Sequence, residues 1–268
     1  MIAGMSTSSF FGRDLLENNI DHMAKMGVKT AEVYLNTFSE FEAPYVKELK
    51  KRIDDNGMTV HSVHPHGTVY ELQFYSNYVR SMADAEGWFR KVQEAAGILG
   101  ADLTVYHGGF PIKKPGTRPN IERIAKVVTK CAEIAKSYGV KFAHENVYWA
   151  WFSDPYFADA LLENVESDNL YFTMDIKQAA QSGYGYNEYI EHMKGRIVNV
   201  HCCDYVKNEN GFETMLPPRG SVDFRKLKDD LRKSGYDGPM MMEVYPTDYN
   251  DFSELAESYR IFKDMIED

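Results

Sequence analysis

The stretch Met5-Ser6-Thr7-Ser8-Ser9-Phe10-Phe11-Gly12-Arg13-Asp14 follows the first apolar run of the chain and decides between two folds. Around it, short β-like runs alternate with longer segments of helical periodicity. Alternating strand–helix units imply a parallel sheet. Such a sheet is either open and doubly wound or closed into a barrel. The open, dinucleotide-binding form needs the glycine pattern G-x-G-x-x-G directly after its first strand. Here that position holds a single glycine, Gly12, and the pattern is absent.

Working outward, eight apolar runs lie at 2–5, 30–35, 59–63, 102–106, 140–144, 170–174, 197–200 and 240–244. Helix-like segments separate them. In 14–26, Leu15, Leu16, Ile20, Met23 and Met26 share one face. The segments 44–56, 77–99 and 121–138 each end at a glycine (Gly57, Gly100, Gly139), the usual left-handed C-cap. Eight strand–helix units in 268 residues average about 33 residues, near the size of a βαβ step. No stretch rich in Pro, Gly or Ser marks a linker. The expectation is a single α/β domain, residues 1–268, folded as a (β/α)8 TIM barrel.

Composition narrows the function. There is no apolar run of about 18 residues, so no membrane span is expected. The N-terminus lacks the basic start and apolar stretch of a signal peptide. Three cysteines, Cys131, Cys202 and Cys203, make no disulfide framework, and a cytoplasmic setting is expected. A net charge of -10 opposes binding to nucleic acid and suits a handler of small molecules.

A barrel carries its active site at the C-terminal ends of its strands. Polar residues collect at those ends: His61, His64 and His66, then His107, His144-Glu145-Asn146, Asp175, His201 and Glu243. Glu145, Asp175, His201 and Glu243 come from consecutive strands. A lone strand-end acid is more often a helix cap or a surface ion pair. Three carboxylates and an imidazole brought close together cannot all stay ionised and unpaired. A divalent cation resolves the repulsion, and this donor set suits Mn²⁺, Mg²⁺, Co²⁺ or Zn²⁺.

The motifs AHEN around Glu145, YFTMDIKQA around Asp175, IVNVHCCD around His201 and MMMEVY around Glu243 resemble those of the xylose-isomerase-like TIM barrels, the sugar phosphate isomerase/epimerase family. The resemblance covers essentially the whole chain. That family includes sugar isomerases, ketose 3-epimerases, inosose isomerases and dehydratases, hydroxypyruvate isomerases and metal-dependent AP endonucleases. It implies one divalent ion on Glu145, Asp175, His201 and Glu243, with Glu145 and Glu243 doubling as the catalytic acid/base pair. A metal chelating a ketone oxygen and the adjacent hydroxyl would acidify the C–H between them and stabilise an enediolate. Two glutamates could then move the proton between faces or carbons. The implied activity is isomerisation or epimerisation of a sugar, sugar phosphate or related polyol ketone. The implied partner is a small carbohydrate, and a homo-oligomer stays open.

The same resemblance places His64 and His107 facing the substrate. Glu32, mid-strand in AEVYL, either hydrogen-bonds a sugar hydroxyl or pairs with a neighbouring lysine. Lys177 and Arg219 either bind a phosphate or carboxylate or are solvated surface charges. Tyr148, Trp149 and Trp151 either form an apolar wall over the substrate, since aromatic faces pack on sugar C–H surfaces, or pack helices. Cys202 and Cys203 are expected as buried thiols. His61 is expected to be structural, facing away from the side His64 faces by strand alternation. Two departures weigh against the alternative of a phosphodiester hydrolase like the AP endonucleases. Gln178 stands where epimerases and endonucleases usually have His, and the 202–221 loop, expected to be irregular, contains no His. A non-catalytic sugar-binding barrel is the other alternative, and the presence of both Glu145 and Glu243 counts against it.

Overall fold

The computed structural model describes residues 1–67, 70–110, 120–209 and 211–267. Eight parallel strands close into a barrel: β1 (Ile2–Ser6), β2 (Thr30–Leu35), β3 (Thr59–Pro65), β4 (Leu103–Tyr106), β5 (Lys141–Glu145), β6 (Leu170–Asp175), β7 (Ile197–Cys202) and β10 (Pro239–Met242). They follow chain order around the barrel, and β10 pairs with both β7 and β1 to close it. This is the (β/α)8 TIM barrel expected from the sequence. Among the described residues, no helix is long and apolar enough to cross a membrane.

The helix between β4 and β5 shows how the sequence makes these units. Asn120 accepts a hydrogen bond from the Arg123 amide and starts α4 (Ile121–Ser137). Ile124, Val128, Cys131 and Ala135 recur at helical spacing and are buried against the barrel. Gly139, with φ of 74°, releases the chain into β5. A fully buried side chain such as Val128 contributes about 1.5–3 kcal/mol through lost water contact alone. The other expected glycine caps behave alike: φ is 62° at Gly57 and 73° at Gly100, after α2 (Ala43–Asp55) and α3 (Val79–Leu99).

Three features bear on the sequence reading, the last two as departures from it. First, β5, β6 and β7 run to Glu145, Asp175 and Cys202, so three of the four candidate ligands sit at strand ends as expected. Second, part of the 202–221 loop is an antiparallel hairpin, β8 (Asp204–Asn208) with β9 (Gly211–Met215). Buried Asp204 ties its base down by accepting the amides of Tyr205, Gly220 and Val222 at 2.8, 2.8 and 3.0 Å. A Cβ at Gly220 would lie 2.3 Å from Asp204 Oδ1, which is why this turn holds glycine. Third, the pairing of β2 with β3 shifts between Ala31 and Glu32, leaving His61 as the extra residue. Alternation therefore fails there. His61 Nε2 is 3.0 Å from the Val198 carbonyl, on a strand that is not a neighbour of β3, so the bond crosses the barrel interior.

On β4 and β5 the interior side chains follow the two-residue repeat of a strand, and on β7 Val198 joins them as the extra residue of a register shift with β6. Leu103, Val105, Ala143 and Val198 form an apolar cluster of their own. Ala143 lies two residues before Glu145, and Val105 two before His107. The polar layer thus stands directly above the apolar one.

Candidate active site

The upper layer brings the four candidate ligands together. Glu145, Asp175, His201 and Glu243 each offer one atom, and these atoms lie within 4.8 Å of one another. His201 is central. Its Nδ1 is 3.2 Å from Glu145 Oε1 and 3.1 Å from Glu243 Oε2. Its Nε2 is 2.9 Å from Glu32 Oε2. A proton on Nε2 donated to Glu32 leaves Nδ1 as a lone pair facing the acids, the arrangement by which a carboxylate orients a ligating histidine.

That contact corrects the reading of Glu32. It is fully buried, lines no part of the cavity described below, and pairs with no lysine among the described residues. It accepts from Ser62 Oγ at 2.7 Å and Asn199 Nδ2 at 3.1 Å, and backs His201 from below. Burial works to raise its pKa. The adjoining imidazoles of His201 and His64 override burial and hold the carboxyl well below the usual range.

Each remaining ligand has its own support. Asn146, next to Glu145, reaches across to β6. Its side chain donates to the Asp175 carbonyl at 2.9 Å and accepts the Asp175 amide at 2.8 Å. The Gln178 amide donates to Asp175 Oδ1 at 2.8 Å, capping α6 (Ile176–Ser182). Ser8 Oγ donates to Glu243 Oε1 at 3.2 Å, and the Glu243 amide to the Cys202 carbonyl at 2.9 Å. Glu145 Oε2, by contrast, is buried with no hydrogen-bond partner among the described residues.

The electrostatics agree with a cation-seeking site. Burial raises the Asp175 carboxyl to about 6 despite nearby Lys177, with Glu145 and Glu243 adding to the rise. Burial also opposes charge on Glu145, but His201 and His107 bring it down to about 2. His64 is the mirror image. Desolvation favours its neutral form, yet Glu243, Glu32 and Glu145 push it up to about 10. Converging hard oxygens, one imidazole nitrogen and an orphaned carboxylate oxygen fit a divalent ion. Glu145, Asp175, His201 and Glu243 would hold it.

Beside this cluster lies a cavity of about 240 Å³. Of the four candidate ligands, Glu145 and Glu243 line it, while Asp175 and His201 do not. His64 and His107 line it as well. Their Nε2 atoms are 2.9 Å apart, so one ring donates to the other, and His107 Nε2 is 3.3 Å from Glu145 Oε2. Trp149 also lines the cavity. Trp151 instead packs edge-on against Tyr75 with ring centroids 4.8 Å apart, and Tyr148 is half exposed. Lys177 lines the cavity and is 3% exposed, so it is no solvated surface charge. Arg219 lies elsewhere. It is exposed, 3.5 Å from Glu254, and absent from the cavity wall, because the turn anchored by Asp204 directs it outward. Cys202 and Cys203 are buried free thiols.

Sequence reading missed one buried acid here. Glu71 lies between β3 and α3, away from any strand end. Its Oε2 accepts the amides of His107 and Gly108 at 3.1 and 2.9 Å. Its Oε1 has no hydrogen-bond partner among the described residues, and burial raises the carboxyl to about 7. Nothing in the local sequence GTVYELQFY signals this role.

A family model described as Xylose isomerase-like TIM barrel matches residues 20–265. No curated protein matches the chain by sequence. The chain is similar in structure to an L-ribulose 3-epimerase (TM-score 0.82, 19% identity, 99% of this chain and 94% of that one). It is similar also to a D-psicose 3-epimerase from Clostridium cellulolyticum H10 solved with D-tagatose (TM-score 0.80, 17% identity, 100% and 98%). A third similar structure is an IOLI protein with a bound zinc atom (TM-score 0.80, 17% identity, 100% and 98%).

Proposed function

The chain belongs to the xylose isomerase-like TIM barrel family, and from that premise we propose that it is a divalent-metal-dependent isomerase or epimerase of a small ketose or related polyol ketone, acting as one domain. One observation carries this reading: of the four converging ligands, the two that reach the cavity are both glutamates. The names of the similar structures, sugar 3-epimerases among them, point the same way.

A divalent ion held there would draw electron density from a ketone oxygen and so acidify the neighbouring C–H. The residues supply the rest. Glu145 and Glu243 approach His201 Nδ1 from the ends of two different strands and both line the cavity, so a substrate carbon there has two carboxylates within reach. One takes the proton and the other returns one to the opposite face or the adjacent carbon. Asp175, capped on α6 and clamped by Asn146, and His201, backed by Glu32, stay fixed as ligands. Ser8 holds Glu243 in place. His64 and His107 offer ring nitrogens to the oxygen that gains charge as the proton leaves. Trp149 covers the cavity and limits water. A cavity of about 240 Å³ suits one small molecule rather than a polymer.

The test is exchange of the substrate's α-proton with D₂O, followed by NMR across a panel of ketoses with Mn²⁺ present. Deuterium at the α-carbon, with the epimer or aldose appearing, is the expected result. No exchange with any ketose by the metal-loaded protein would overturn the reading.

A second reading, phosphodiester hydrolysis, has one observation on its side. His64, His107 and Glu145 also offer atoms within 4.8 Å of one another, a second place for an ion. Two or more ions per chain with cleavage of abasic DNA would establish that reading, and one ion with none would remove it.

A further inference from the structure

We propose that Lys177 is the seat of an anionic group, a carboxylate or a phosphate, carried by the substrate; this rests on reading the cavity as a ketose-converting site.

Lys177 stands on the first turn of α6, two residues past Asp175, and its side chain is almost wholly buried. An ammonium in such a place is costly unless an anion meets it at close range. The carboxylate nearest to it is Asp175, whose Oδ2 is 3.5 Å from Nζ. A charge-assisted hydrogen bond runs at about 2.7–2.9 Å, so this pair is long. Asp175 is also a candidate metal ligand, and a cation would draw on the same carboxylate. Tyr245 lies over it, with Nζ 4.4 Å from the ring centroid, and the carboxylates of Glu243 and Asp248 act on it from further away than Asp175. An ammonium has three donors. Among the described residues none of these carboxylates comes to charge-assisted hydrogen-bond distance, and Lys177 lines the cavity together with Glu145 and Glu243.

A neutral polyol has no need of this group. Gln178, Tyr34, His66 and Trp149 already offer the cavity amide, phenol, imidazole and aromatic surfaces that read hydroxyls and C–H faces. A buried point charge adds recognition of negative charge, and the compact ammonium accepts either a carboxylate or a phosphate. Arg219, the other cation the sequence offered for this task, is outside the cavity, so Lys177 carries it.

The test is calorimetric binding to the Mn²⁺-loaded protein of three matched ketoses: D-fructose, D-fructose 6-phosphate and 2-keto-D-gluconate. One of the two anionic sugars is expected to bind at least about tenfold tighter than D-fructose, the gain of one charge-assisted bond. The tighter one identifies phosphate or carboxylate. In Lys177→Met the anionic-to-neutral ratio should fall to about one, and in Lys177→Arg it should persist. Lys177→Gln replaces the Met variant if that one does not melt cooperatively. Equal or tighter binding of D-fructose by the wild type overturns the proposal, as does a preference that survives Lys177→Met. Proton exchange separates the two claims. An anionic preference without exchange of any α-proton overturns the isomerase reading and upholds Lys177. Exchange without that preference does the reverse.

Discussion

Two layers inside one barrel do opposite work. The lower layer, Leu103, Val105, Ala143 and Val198, is apolar and packed. The upper layer, nearer the C-terminal strand ends, gathers three carboxylates and three imidazoles, with Glu145 Oε2 lacking a hydrogen-bond partner among the described residues. On β4 and β5 one step of strand periodicity separates residues that stabilise the fold from residues of the charged layer. The lower layer thus needs no ligand, whereas the upper one, on the function proposed, is completed by a cation.

The sharpest way to break this contrast is Glu145→Gln. Proton exchange should fall by roughly 10³-fold, the range for losing one acid/base group, while the melting temperature holds or rises because a buried charge is gone. Unchanged exchange would remove Glu145 from the chemistry. Leu103→Ala reverses the pattern: urea unfolding should show a loss of about 2–5 kcal/mol, with metal affinity preserved. A large drop in metal affinity there would mean that the layers are not separable. Glu32→Gln tests the link between them. Removing the carboxylate behind His201 should weaken metal binding by about 10–100-fold, measured by titration with Mn²⁺.

The smallest effect concerns Glu71. Its carboxyl is raised by burial from 4.5 to about 7, so the folded state holds the proton more tightly than the unfolded chain. This group's contribution is therefore full below about pH 4.5 and is lost as pH rises through about 7, at no more than about 1.4 kcal/mol per pH unit. Glu71→Gln mimics the protonated form. It should match the wild type near pH 5 and be the more stable at pH 8, on the order of 2 kcal/mol. Equal stability at pH 8 would show that the backbone amides of His107 and Gly108 compensate the charge fully.

The barrel was legible because its grammar is local. Gly57, Gly100 and Gly139 mark helix ends whatever surrounds them, and an apolar run after each marks the next strand. Closure then places strand ends side by side, which is why Glu145, Asp175, His201 and Glu243 could be read as one group. Residues whose roles depend on the third dimension were not legible. Glu32 lies beneath His201 through a 169-residue separation in sequence. Glu71 reaches the His107–Gly108 amides from a segment with no motif. For Arg219 the sequence left open a substrate anion or a solvated surface, and the turn on Asp204 decides for the surface. His61 broke the alternation rule because one extra residue enters β3 opposite Ala31 and Glu32.

Elemental mass spectrometry of the purified protein, with a chelator-treated sample beside it, tests the central claim most directly. About one divalent ion per chain, removed by the chelator together with part of the thermal stability, is the predicted result. No ion as purified, with no binding or thermal stabilisation on adding Mn²⁺, Mg²⁺, Co²⁺ or Zn²⁺, would contradict it.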